Sequence, residues 1–356
     1  MKGRLILFVQ NYRPPPVCDD EAVGFFHLDM REQRITDFLH SRYGFMLMAL
    51  MSVAAAGGAY IQAPTMAPGA GWGPLMFSFA EWFSKIPPVS LAVAVALNFF
   101  IALLLIYINK HYNVLRSISY LFAGLFLVME AALPTLFVHM SDGIFIAVVV
   151  LLSLIPLYTT FQDSERTRRV FLSFCIVSAG ALVDITCAAY LIALFVGCFQ
   201  MRCITLRTML AAVLGIITPW WIAWGTGALS VAAIRLPEFV SLFSVLEVMK
   251  IAQVLVYAGT SLALGIGFGM FNLLKIYSYN ARTRAYNGFL VVLAITTVAL
   301  MVVDYNRLVI YLPMLNVCTA IQMGHFFIIN RRKRSYIPVI CVIGIYAVLY
   351  LWALSL

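Results

Sequence analysis

The sequence predicts an all-α fold, a polytopic transmembrane helix bundle. Three observations predict it: 63% of the 356 residues are hydrophobic, only 11% are charged, and the mean hydropathy is +0.95. A soluble domain carries roughly 45–50% apolar and about 25% charged residues, so one water-soluble core could not hide this much apolar surface. The natural solvent is a bilayer, whose core asks for about 20 apolar residues per helix. That excludes an ordinary soluble enzyme, a disordered tail and a nucleic-acid-binding module. The formal charge of +9 then reads as topology, because Lys and Arg collect in cytoplasmic loops.

Residues 1–43 read as a cytoplasmic tail and 44–356 as the transmembrane domain. The run Leu5-Ile6-Leu7-Phe8-Val9 is too short for a signal-peptide core, and Pro14-Pro15-Pro16 and Asp19-Asp20-Glu21 follow it. Met30 opens a stretch that leads straight into the first span. Two readings of residues 1–29 stand side by side: an untranslated upstream extension, with Met30 as the start, and a disordered cytoplasmic tail.

Apolar stretches near 18 residues long fall at 44–61, 88–109, 118–138, 143–160, 208–227, 251–272, 287–303, 308–329 and 336–354. The run 170–201 reads as either one long span or a hairpin of two short ones turning near Asp184, and loop charge chooses between them. With a hairpin, 20 of the 24 Lys and Arg lie inside, leaving Lys85, Arg235, Lys250 and Arg307 outside; with a single span the division is 14 to 10. The positive-inside rule selects the hairpin, giving about eleven spans, N-in and C-out. Each half of the hairpin, roughly 24 Å long, is short against a core of about 30 Å, so Asp184 is expected below the outer surface. The outer loops are expected to hold interfacial helices. Between Gly73 and Pro87, Leu75, Phe79, Trp82 and Ile86 share one helical face, with Glu81 and Lys85 opposite. The segment 237–250 is a weaker second case. Trp72, Trp82, Trp220, Trp221, Trp224 and Trp352 form an expected outer belt.

Ionisable groups at bilayer depth are costly and therefore mark candidate sites. Glu130 lies within a span and Asp184 at the hairpin tip. Glu81, Asp142, Glu238, Glu247 and Asp304 fall in outer loops or at span ends, with His139, Arg235, Lys250 and Arg307 as candidate partners. Asp304 and Arg307 are close enough in sequence to pair at a helix end. No metal-ligand spacing links the five histidines, and the seven cysteines form no CxxC pair. No cofactor motif is evident. Gly265-Ile266-Gly267-Phe268-Gly269 follows no strand and reads, with Gly259 and Ala263, as a small-residue packing stripe.

The stretch NFFIALLLIYINKHYNVLRSISYLFAGLFLVMEAALPTL, followed by FQDSERTRRVFLSFCIVSAGALVDITCAAYLIALFVGCFQMRCITLRTMLAAVLGIITPWWIAW, resembles a family of multi-span inner-membrane proteins of Bacteroidota, as do the later RTRAYN and IYLPMLNVCTAIQMGHFFI segments. That resemblance implies a bacterial inner-membrane location, and a start shortly before the first span. A more distant likeness is to the GT-C class of membrane glycosyltransferases, in which an interfacial helix occupies the first outer loop and outer acids act near a polyprenyl-phosphate-linked sugar. Here the first outer loop is short and lacks an acidic pair.

By that likeness Glu81, Asp142 and Asp184 are the expected catalytic acids. Glu130, His139, Arg235, Lys250, Asp304 and Arg307 are expected to contact substrate, and a divalent metal enters only by analogy. The expected partners are membrane lipids, a polyprenyl-phosphate-linked substrate and other membrane proteins, with no nucleic acid. Two alternatives remain: a transporter or flippase for a lipid-linked substrate, with Glu130 and Asp184 on its path, and a non-catalytic subunit of an envelope assembly or secretion complex.

Overall fold

The structure, a computed structural model, describes residues 33–62, 74–75, 82–83, 85–229, 248–275, 280–329 and 336–355. Every regular element among them is helical: α1 (Arg42–Gln62), α2 (Pro87–Tyr112), α3 (Leu121–Ala131), α4 (Pro134–Phe137), α5 (Asp142–Tyr158), α6 (Thr167–Val183), α7 (Cys187–Gln200), α8 (Leu206–Gly225), α9 (Val248–Leu274), α10 (Ala281–Val303), α11 (Leu308–Ile329) and α12 (Tyr336–Leu354). Seven of them, α1, α2 and α8 to α12, are long and apolar enough to cross a membrane; α3, α5 and α7 are shorter apolar helices. The chain is a multi-pass membrane protein.

Local chemistry sets the helix ends. Pro87 and Pro88 open α2, where a missing N–H costs nothing. Asn113 closes it in the left-handed region, at φ 52°, and its N–H reaches the Asn109 carbonyl. At α5, Ser141 Oγ accepts from the Ile144 N–H. Thr205 and Thr208 cap each other's backbone at the start of α8. The stretch expected as one span over 118–138 is instead broken. α3 stops at Ala131 and α4 restarts at Pro134, because the proline ring has no N–H to continue the ladder and disfavours helix in the residue before it. The run 170–201 is a hairpin, α6 and α7, turning at Asp184–Thr186. Most of the first loop, including the greater part of the expected interfacial helix, lies outside the described residues, as do residues 1–32 and 230–247.

One helix sits at the centre. In α11, 83% of the most apolar window is buried, against at most 39% in the other long helices. It packs on α3, α5, α9 and α10. Its polar residues, Asn316, Thr319, Gln322 and His325, are all buried, which suits a helix surrounded by protein rather than lipid. In a membrane the packing force is close contact and hydrogen bonding, since lipid is as apolar as Leu. Accordingly, α6 and α8 approach so closely that a Cβ on Gly215 would come within 2.6 Å of the Phe171 carbonyl oxygen, and Ser178 Oγ donates to the Ile216 carbonyl at 2.6 Å. The expected glycine stripe of α9 is only partly a contact. Gly265 faces Thr319 and Gly269 faces Gln322, whereas a Cβ on Gly259 or Gly267 would meet nothing.

Candidate functional site

The hairpin tip, the start of α5 and the α10–α11 connection meet at one end of the bundle. Asp184 ends α6 in extended conformation. Its Oδ1 accepts from the Thr186 N–H at 2.9 Å and from the Thr186 hydroxyl, and its carbonyl accepts from the Cys187 N–H. The residue therefore builds the turn. Its Oδ2 accepts from Arg307 Nη2 at 2.6 Å, and Arg307 Nη1 donates to Thr186 Oγ1 at 3.1 Å. Asp304 Oδ2 lies 3.9 Å from the same Nη1 and accepts from the Tyr311 hydroxyl at 2.7 Å. The ion pair is buried, with side-chain exposures of 9% for Arg307 and 3% for Asp184. A charge-assisted bond this short is of the strong kind.

Asp142 joins them from α5. Cys187, the first residue of α7, lies within electrostatic reach of Asp184, Asp142 and Arg307. Gly143 lets α5 approach α11: a Cβ there would overlap the Ile310 carbonyl. His139 and Asp142 are both buried and both engaged by neighbours. The first loop touches this end too, through the Leu75 N–H on the Leu182 carbonyl at 3.2 Å.

Five of the nine residues expected at a site, His139, Asp142, Asp184, Asp304 and Arg307, thus come from three distant stretches to one end. Lys250 lies near the start of α9. Glu81 and Arg235 lie outside the described residues. The sequence expectation for Arg307 was its neighbour Asp304; its closest carboxylate is Asp184. Thr186 and Tyr311 complete the cluster and carried no signal of their own, being a threonine and a tyrosine among many.

Glu130 occupies a different place, the last turn of α3, just before the helix breaks. Its Oε1 accepts from Asn316 Nδ2 at 2.8 Å, and the same Nδ2 donates to the Tyr257 hydroxyl, also at 2.8 Å. Tyr257 in turn donates to the Met129 carbonyl at 2.6 Å. Beside it, Ser261 Oγ and the Tyr346 hydroxyl lie 2.8 Å apart, and Thr319 Oγ1 donates to the Ser261 carbonyl at 3.1 Å. Helices α3, α9, α11 and α12 share this network.

No family model, curated relative or solved structure matches the chain. Three apolar side grooves were found between described residues: one of 340 Å³ between α9, α10 and α11, one of 400 Å³ between α1, α3 and α12, and one of 590 Å³ along α8 by Trp220, Trp221 and Trp224. No group of three or more His, Cys, Asp or Glu among the described residues is placed to hold a metal.

Proposed function

We propose that the protein is an eleven-span, N-in and C-out enzyme of the bacterial inner membrane. On this reading it transfers a glycosyl group from a polyprenyl-phosphate-linked donor at the outer face, in the manner of the GT-C class. One observation carries the reading: His139, Asp142, Asp184, Asp304 and Arg307, from three separate stretches, converge at one end of the bundle. Ionisable groups at such depth are retained where they serve a site.

The contacts support a division of roles. Asp184 and Thr186 hold the Arg307 guanidinium, with Asp304 beside it. A guanidinium fixed in this way suits a phosphate. Asp142 takes the acceptor's proton. The acceptor hydroxyl oxygen bonds to the anomeric carbon as the bond from that carbon to the phosphate oxygen breaks, and the electron pair leaves with the phosphate. Asp184 becomes a positioning residue, since its carboxylate is committed to the turn and to Arg307. Glu81, in the loop that reaches the hairpin, is a second candidate acid.

The test is transfer of labelled sugar from polyprenyl-phosphate donors into envelope glycan by membranes holding wild type, Asp142→Asn or Arg307→Lys. General-base loss predicts a fall of about 10²–10⁴-fold in Asp142→Asn. Transfer in that variant equal to wild type, at equal folded protein, sinks the reading.

A second reading, a carrier for a lipid-linked substrate, draws on Glu130, a carboxyl buried at mid-bundle beside a broken helix, as transporter sites often are.

A further inference from the structure

Glu130 differs from every acid of the end cluster. It is fully buried, and among the described residues the bond from Asn316 is its one side-chain hydrogen bond. Its Oε2 has no partner among the described residues, and neither has Asn316 Oδ1. These orphan oxygens sit on the two groups already joined at 2.8 Å through Oε1 and Nδ2.

The orientation of the amide is not arbitrary. The Met129 carbonyl can only accept, so the Tyr257 hydroxyl spends its one proton there. Tyr257 must then accept from Asn316, which fixes Nδ2 toward Tyr257 and Glu130 and leaves Oδ1 as the unsatisfied end. Two acceptors on touching groups cannot satisfy each other. A buried polar atom left unpaired is costly, and the more so if charged.

The backbone adds to the oxygen count. Pro134 has no N–H to give to the Glu130 carbonyl, which takes a long bond of 3.4 Å from the Leu133 N–H. The titratable groups within electrostatic reach are the phenols of Tyr257 and Tyr346. Beside α3, the groove between α1 and α12 is lined by Ala131, Ala132 and Tyr346, on the flank of Glu130.

We propose that Glu130 and Asn316 form a site for one small monovalent cation, a sodium ion or a proton, shared by Oε2 and Oδ1. One positive charge answers one carboxylate, and oxygen ligands suit a hard cation. The end of a half-helix is where such ions bind in membrane carriers. The site is separate from the glycosyl-transfer reading and stands or falls without it.

Thermal unfolding of the purified full chain in detergent tests it, with sodium chloride against choline chloride at equal ionic strength and at two pH values. A sodium ion held in the folded state raises the wild-type midpoint in sodium by mass action. That rise is lost in Glu130→Gln and kept in Glu165→Gln, an exposed acid elsewhere. A proton gives no sodium response. It gives instead a protonated-carboxyl infrared band, shifted in heavy water, that Glu130→Gln lacks. Either pattern supports the site. A wild type with neither the sodium response nor the infrared band overturns it, as does a Glu130→Gln protein that keeps whichever signal the wild type gave.

Discussion

Arg307 reaches across 123 residues of sequence to Asp184, and their side chains meet at 2.6 Å. The pair ties the start of the central helix α11 to the hairpin tip, at an end of the bundle where the Asp184 and Asp304 carboxylates both lie within 4 Å of one guanidinium. Removing one partner strands the other in a dry place. Arg307→Met is expected to lose about 3–5 kcal/mol. The double variant Asp184→Leu with Arg307→Met is expected to recover part of that, and unfolding midpoints of the three proteins check it.

Thr186 serves both charges at once, donating to Asp184 and accepting from Arg307. Thr186→Val keeps the shape and removes both contacts. The expected loss is about 1–3 kcal/mol, with sugar transfer falling further than stability explains. Parallel unfolding and transfer assays on this variant separate the two effects.

Gly143 sits where α5 meets the backbone of Ile310. A side chain there meets a carbonyl rather than a flexible chain end, so relief requires moving a helix. Gly143→Val is expected to cost about 1–3 kcal/mol and to shift Asp142 away from the cluster. A variant as stable and active as wild type would mean that the approach is not needed.

The hairpin makes a topological prediction. Because α6 and α7 return the chain to the side it left, residues at 165 and 202 share one face and residue 227, beyond α8, lies on the other. Single cysteines at Glu165, Arg202 and Gly227, in a background without reactive thiols, are expected to label from the inside, the inside and the outside. Labelling of 165 and 202 from opposite faces would restore the single-span alternative.

Much of this architecture was legible. Apolar runs located the long helices to within a few residues, since a bilayer imposes their length. Loop charge selected the hairpin, because crossing the membrane once more or once fewer moves every later Arg and Lys. Pro134 read as the mark of a kink rather than of a full break: apart from Ser119, Glu130 and Thr135 the run 118–138 is apolar, and prolines are tolerated in membrane helices. The central position of α11 was not foreseen, although its window has mean hydropathy 1.4, the lowest of the seven. Its Asn316, Thr319 and Gln322 were the available sign. The Asp184–Arg307 pair had no local trace, because helix packing, not spacing, brings those stretches together. Glu130 stood out by its depth alone, and Asn316 and Tyr257 became its neighbours only in three dimensions.

On the proposed function, the end cluster receives the phosphate of a lipid-linked sugar. A density map of the full chain in nanodiscs drawn from its native membrane tests this most directly. The expected result is non-protein density with a phosphate within about 3 Å of Arg307 and a sugar beside Asp142, with its lipid tail leaving between helices. A cluster closed around its own ion pairs, with no density but protein within reach of Arg307 and Asp142, would contradict it.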